Sequence, residues 1–270
     1  MTIAAGFVHR DGVLLCADTE EQQGAMKTHR PKLVTFDWKG RVGAFAFAGN
    51  SNFALSTVQK CKTRLEATSK QDALEVIEGT LTSEYTRLVF KHPLYGADSS
   101  MAFSLLIVIP TSDGGTHLFK SDEASLQMVE HFGAIGIGDT FARHLVGKSC
   151  MGGMSERRTL QLAAYMLKMT EENVPGCSRP FHIKSLRTDG SVADFSTELL
   201  AEYTDKWGSF YDVISRQLFF NAMDECDGDQ DFEENVHVFL TGVREIRKSW
   251  RNRRPDMFLN PAHTSQHPRD

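Results

Sequence analysis

The sequence has no apolar run long enough to cross a bilayer. Its longest, around Val42 to Ala48 and Phe103 to Pro110, fall well short of the roughly 20 residues a spanning helix needs. Cysteine is scarce: five residues (Cys16, Cys61, Cys150, Cys177 and Cys226), odd in number, far apart and without a CxxC pair. That excludes a zinc ribbon and a disulfide framework and favours free thiols in a reducing cytosol. There is no excess of basic charge either. Lys and Arg total 30 against 35 Asp and Glu, a net charge of -5, so nothing global draws the chain to nucleic acid or an anionic membrane. The N-terminus lacks a basic segment followed by an apolar one, so no signal peptide is expected. These absences predict a cytoplasmic protein whose mature form starts at residue 1 or 2.

Cofactor motifs are missing as well. None of the ten histidines lies in HExxH or another helical metal-ligand spacing. Gly133-Ala134-Ile135-Gly136-Ile137-Gly138 is glycine-rich, yet it has neither a Walker lysine nor Rossmann spacing, and reads as a tight strand-to-helix turn. The acidic run from Asp224 to Glu234 lacks the alternating ligands of a calcium loop and reads as solvated. No cofactor and no metal are expected. Arg244, Arg247, Lys248, Arg251, Arg253 and Arg254 form a basic cluster that suits nucleic acid, an acidic neighbour in an oligomer, or a solvated helix end complementing its own dipole. The last is the reading adopted.

What remains is an ordinary globular composition, 41% hydrophobic and 24% charged over 270 residues. Ile3–Val8 and Val13–Ala17 flank Arg10-Asp11-Gly12, a strong hairpin signal. Leu33–Trp38 and Val42–Ala48 make a second pair around Lys39-Gly40, with a polar loop containing Gly24 before it. Apolar spacing of three and four predicts helices over about 52–67 and 70–90. Strands return at about 101–109, 116–120, 126–129 and 133–135, then helices at 139–147 and 155–172, the latter capped by Ser155. A last hairpin, 181–187 and 191–195, turns at Thr188-Asp189-Gly190. Runs of strands and runs of helices, rather than strict alternation, predict an α+β protein with helices layered on antiparallel sheets. The domain reading is a core over 1–197, a mostly helical extension over 198–258 and a polar tail over 259–270.

Chemistry points to one end of the first hairpin. Met1 precedes a small residue, the usual setting for removal of the initiator methionine, which leaves Thr2 with a free α-amine. An N-terminal threonine holds a nucleophilic hydroxyl and a base of pKa about 7.7–8.0 in one residue. Counting back from the turn sets Thr2 opposite residues 19 to 21, so Asp18 falls near the same end of the ladder. Lys32 starts the third strand. An ammonium depresses the pKa of hydroxyl and amine, and a carboxylate keeps that ammonium charged and placed. Lys27 competes with Lys32 for the role but sits in the loop, and a surface salt bridge is the bland alternative.

These residues carry a resemblance. Thr2-Ile3-Ala4-Ala5-Gly6, Asp11 through Thr19, Gly24 and Lys32-Leu33 resemble the start of a proteasome β subunit or the bacterial HslV peptidase. Ala48-Gly49 resembles the family's turn after an apolar strand, and Ala134 to Gly138 its Gly-Ser-Gly region. Met154-Ser155 and Phe181 to Gly190 resemble its last helix and hairpin, so the likeness runs in order over about residues 2–197. It implies a four-layer αββα N-terminal-nucleophile hydrolase fold and a threonine peptidase working through an acyl-enzyme. By position, Thr2 is then nucleophile and base, Asp18 and Lys32 its charge partners, and Gly49 N–H the oxyanion donor. Phe47 falls where the family shapes its first specificity pocket, and a bulky ring there favours small P1 side chains.

Three positions depart from the family pattern. Ile137 replaces a serine that supports the amine. Ser178 stands for a second supporting serine, but the aspartate expected just before it falls at about Pro175. Gln22 replaces a threonine that contacts the substrate backbone. The resemblance also implies a ring-like homo-oligomer, peptide or unfolded-protein substrates and scope for an ATPase partner. With no propeptide expected, an aminopeptidase frees Thr2. The region after Glu198 resembles bacterial homologues with extra C-terminal helices, the Anbu type. Two other readings stay open: a silent ring-forming scaffold on this fold, and a small-amide hydrolase with the same nucleophile.

Overall fold

The computed structural model describes residues 2–23, 26–67, 72–93, 101–111, 115–147, 149–150, 152–196, 198, 201 and 229–251. Gly24, Cys226, His263, His267, Arg253 and Arg254 lie outside the described residues, as do the tail and most of the 198–258 region.

The chain opens with β1 (Ile3–His9) and β2 (Gly12–Asp18), closed by the two residues Arg10-Asp11, with Ala4 opposite Ala17. Both strands read as nearly continuous apolar runs because both faces are covered. A polar hairpin follows, β3 (Glu20–Gln23) and β4 (Met26–His29), where the sequence predicts only a loop. Its strands have no apolar alternation, so pattern reading could not find it. Tertiary ties hold it instead: Arg30 N–H donates to Thr19 O at 2.8 Å, Ser51 Oγ donates to Glu21, and Arg30 Nε pairs with Glu21 at 3.1 Å.

Next come β5 (Leu33–Trp38), β6 (Arg41–Gly49), helix α1 (Ser51–Ala67) and helix α2 (Ala73–Tyr85), which passes into a π-helical turn at Thr86–Phe90. The second helix starts three residues later than its apolar spacing predicts because the Asp72 carboxylate caps it, accepting Leu74 N–H at 3.0 Å. Then follow β7 (Phe103–Pro110), β8 (Thr116–Asp122), β9 (Ser125–Val129), β10 (Phe132–Gly136), α3 (Asp139–Val146), α4 (Glu156–Asn173), β11 (Phe181–Arg187) and β12 (Val192–Phe195). Beyond Glu198 and Ala201, the described part of the C-terminal region is helix α5 (Asp229–Arg251), which carries the exposed Arg244, Arg247 and Lys248.

Two five-stranded antiparallel sheets result, ordered β10-β1-β2-β11-β12 and β5-β6-β7-β8-β9. Three apolar layers join them. Ile3, Ala5, Phe7, Leu14 and Cys16 pack against Ala142, Leu160, Ala163 and Leu167 of α3 and α4. Phe45, Phe47, Phe103 and Leu105 pack against Ala54, Val58, Ile77 and Leu81 of α1 and α2. Between the sheets lie Ala4, Leu15, Ala17, Ala44, Ala46, Ala48, Leu106 and Leu118. The order is therefore helices, sheet, sheet, helices. The run Ala44-Phe45-Ala46-Phe47-Ala48 shows how side-chain size sets the layers: phenylalanines fill the helix side, while alanines let the sheets approach. Gly6 serves the same close approach, since a Cβ there would meet Leu118 Cδ2 at 2.7 Å.

Candidate active site

Thr2 sits immediately before β1 and is 4% exposed. Extending the β1–β2 register two residues past Ala4 and Ala17 brings it opposite Thr19, within the range the sequence predicts. Asp18 ends β2, fully buried and opposite Phe181 of β11. Its Oδ1 accepts the Ile3 N–H at 3.0 Å, which ties the carboxylate to the residue after the threonine. Lys32 lies just before β5 and is 3% exposed.

The lysine ammonium has three donors and three acceptors: Thr2 Oγ1 at 2.7 Å, Asp18 Oδ1 at 3.0 Å and Glu20 O at 2.5 Å. Thr2 Oγ1 thus receives a hydrogen from a cation, which stabilises negative charge on that oxygen. Burial pushes the Asp18 carboxyl above its ordinary range, and the adjacent Lys32 charge offsets only part of that rise. Lys27, the rival, does not join this group. It is 63% exposed and pairs with Glu20 Oε1 at 3.1 Å.

The glycine-rich segment closes over the threonine backbone. Gly136 has φ +93°, and a Cβ there would lie 2.2 Å from Thr2 O and 3.1 Å from the Ala48 Cβ. Gly138 N–H donates to Thr2 O at 3.4 Å. The end of β6 and the end of β10 therefore meet at Thr2. Gly49, at the exposed end of β6, has φ +91°, and a Cβ would press to 2.4 Å from Ala102 O, so only glycine fits.

The remaining sequence-predicted residues fall at varied distances from this centre. Phe47 is joined to the lysine through its backbone, its N–H donating to Lys32 O at 3.2 Å, while its ring is buried among the α1 and α2 side chains. Gln22 lies in β3 opposite Lys27. Ser178, between α4 and β11, donates its hydroxyl hydrogen to Glu20 Oε2. Ile137 is 53% exposed, an apolar side chain in the turn that wraps Thr2 O. Two participants were not singled out from the sequence. Glu20 is one, and its signal was the two-residue period of an extended strand continuing past Asp18. Cys177 is the other, a buried thiol that burial and the nearby Asp18 charge push up to about 12.

A buried threonine leading the first strand of an αββα sandwich, bonded to a lysine and backed by an aspartate, defines the N-terminal-nucleophile hydrolase class of fold. The chain belongs to the proteasome subunit family, whose pattern matches residues 2–183. Among solved structures it is similar to the Gly-1 mutant of Anbu from Hyphomicrobium sp. strain MC1. That match has a TM-score of 0.68 and 16% identity, and covers 83% of this chain and 100% of the other. Anbu, described as an ancestral β-subunit, from Yersinia bercovieri gives 0.69 and 14%, covering 80% and 97%. The helical assembly of the Anbu complex from Pseudomonas aeruginosa gives 0.66 and 13%, covering 79% and 96%. No curated protein matches the sequence. Among the described residues, no helix is long and apolar enough to cross a membrane.

Proposed function

We propose that this protein is a threonine-type peptidase whose nucleophile is Thr2, exposed by removal of Met1. One observation carries the reading: Lys32 Nζ donates to Thr2 Oγ1 at 2.7 Å while paired with Asp18 at 3.0 Å, all three side chains being shielded from water. In the proposed reaction the freed α-amine takes the hydroxyl proton, directly or through a water, and Oγ1 attacks the carbonyl carbon of a peptide bond. Lys32 stabilises the oxygen as its proton leaves, and Asp18 holds the Lys32 ammonium in place by accepting its hydrogen bond. The tetrahedral oxyanion is met by Gly49 N–H, for which the positive φ and the missing side chain at the end of β6 speak. The amine returns its proton to the leaving nitrogen, an ester forms on Thr2, and water releases the product and regenerates the hydroxyl. The substrate is a peptide or unfolded protein, and the working form is a ring-like assembly of copies of this chain. The helical assembly of the similar Pseudomonas aeruginosa protein supports association between copies.

A second reading, a silent scaffold of the same fold, is favoured by Ile137, whose half-exposed apolar side chain cannot hydrogen-bond an amine. Intact mass after incubation with a peptide epoxyketone separates the two, because that warhead needs both the hydroxyl and the free amine of an N-terminal threonine. A chain lacking Met1 that gains one inhibitor mass, and does not in Thr2→Ala, supports the peptidase. A chain that has lost Met1 but gains no mass supports the scaffold.

A further inference from the structure

Glu20 is a charged side chain only 2% exposed, and the reaction above uses nothing of it beyond its backbone. Its two ends do different things. The carbonyl accepts from Lys32 Nζ at 2.5 Å, while the carboxylate accepts the Ser178 hydroxyl hydrogen and faces Lys27 at 3.1 Å. A buried carboxylate without partners would be neutralised. Here the Ser178 hydrogen bond, then Lys27, hold the Glu20 carboxyl below its ordinary range and keep it ionised at neutral pH. The same stretch grips the Ser178 loop a second time, since Thr19 Oγ1 donates to Pro180 O at 2.9 Å. The position shortly before Ser178 where the family resemblance calls for an aspartate falls at about Pro175, which has no carboxylate to offer.

We propose that Glu20 is a positioning residue for the Thr2 nucleophile, its carboxylate orienting Ser178 in place of the aspartate that Pro175 does not supply, while its carbonyl fixes Lys32. The inference rests on the threonine-nucleophile reading. One residue then joins the two supports of the nucleophile, which come from segments far apart in the sequence, before β5 and before β11. With the Ser178 hydrogen committed to Glu20, the Ser178 oxygen faces any further group only as an acceptor, the role that a protonated amine at Thr2 requires. The Glu20 charge also favours the protonated form of that amine. The other charged or titratable groups around Glu20 are Lys27 and His29 of the β4 side, Asp18 of β2, Lys32, and Cys177 next to Ser178.

The test is the rate at which a peptide epoxyketone adds to the full chain, followed by intact mass across about pH 6–9, the range in which an α-amine titrates. Glu20→Ala is expected to slow capture about tenfold or more, as loss of orientation at a reacting group does. Glu20→Gln keeps an acceptor for Ser178, so it should regain most of that rate while its pH midpoint moves down, one negative charge having been removed. Adding Ser178→Ala to Glu20→Ala should cost little more, because the two act as one unit. Wild-type capture with an unchanged rate and midpoint in Glu20→Ala and Glu20→Gln overturns this inference alone. So do losses that simply add in the double variant. Failure of the wild type, with Met1 removed, to be captured overturns the nucleophile reading and this inference with it.

Discussion

Lys32 Nζ stands 3.0 Å from Asp18 Oδ1, and both side chains are shut away from solvent. A buried pair of this kind is costly to break from one side, because the remaining charge must be neutralised or exposed. Lys32→Ala is therefore expected to lose about 3 kcal/mol of stability, read as a lower urea midpoint at unchanged m-value. Epoxyketone capture should vanish with it. A variant that keeps the wild-type midpoint would mean that the pair is not held together in solution.

Thr2 separates chemistry from folding. Thr2→Ala removes the hydroxyl and the γ-methyl of the residue just before β1 and leaves the Ile3 N–H to Asp18 bond in place. Capture should fall by about 10³ or more, as loss of a nucleophile does, while the thermal midpoint shifts little. Thr2→Ser should retain measurable capture. Equal loss in both variants, with both folded, would point away from a hydroxyl nucleophile.

Gly136→Ala should be far more damaging than Gly190→Ala, although both glycines have positive φ, +93° and +86°. At Gly190, in the β11–β12 turn, a Cβ meets nothing within 4 Å, so only backbone strain of about 1 kcal/mol is at stake. At Gly136 the Cβ would collide with the Thr2 carbonyl at 2.2 Å, and backbone must move. Chemical denaturation of the two variants, with epoxyketone capture as a second readout, checks the contrast. Similar losses in both would show that the turn does not press on Thr2.

Acid should destabilise the fold through His9. Its ring is buried, with Nε2 3.0 Å from Ser185 Oγ and Nδ1 accepting the Asp11 N–H at 3.2 Å, an arrangement that suits the neutral imidazole. Burial holds its pKa below the ordinary 6.5, against the opposing pull of Glu156 and Asp11 and with help from Arg187. The unfolded chain therefore takes up the proton first as pH falls. This stability is complete above the ordinary value of 6.5 and is lost as pH drops toward the folded-state value. His182, also lowered by burial, acts in the same direction. Unfolding free energy measured from neutral pH down to about pH 5 should fall by up to about 1.4 kcal/mol per pH unit for each such proton. His9→Gln should flatten part of that slope, and an unchanged slope would remove His9 as the cause.

The Thr2–Asp18 relation was legible because it is local: a two-residue turn and a two-residue period fix which side chains share a strand end. Lys32 was readable as a strand-start cation, preferred to the loop residue Lys27; in space Lys27 meets Glu20 and Lys32 meets Thr2. The β3–β4 hairpin escaped because its strands are polar and its pairing depends on distant anchors such as Ser51. Glu20 escaped for a related reason, since its partner Ser178 is 158 residues away.

By itself the sequence determined the sequence-local features: the apolar strands, the amphipathic helices, the Asp-Gly turn, and which residues lie at the threonine end of the first hairpin. Periodicity and turn chemistry act over a few residues, so they can be read along a chain. Tertiary structure decided which charges meet. Lys32 and Gly136 reach Thr2 from separate segments, Glu20 and Ser178 meet each other beside Lys32 from two more, and hydrogen-bond geometry and exclusion of water select partners only after the two sheets have packed.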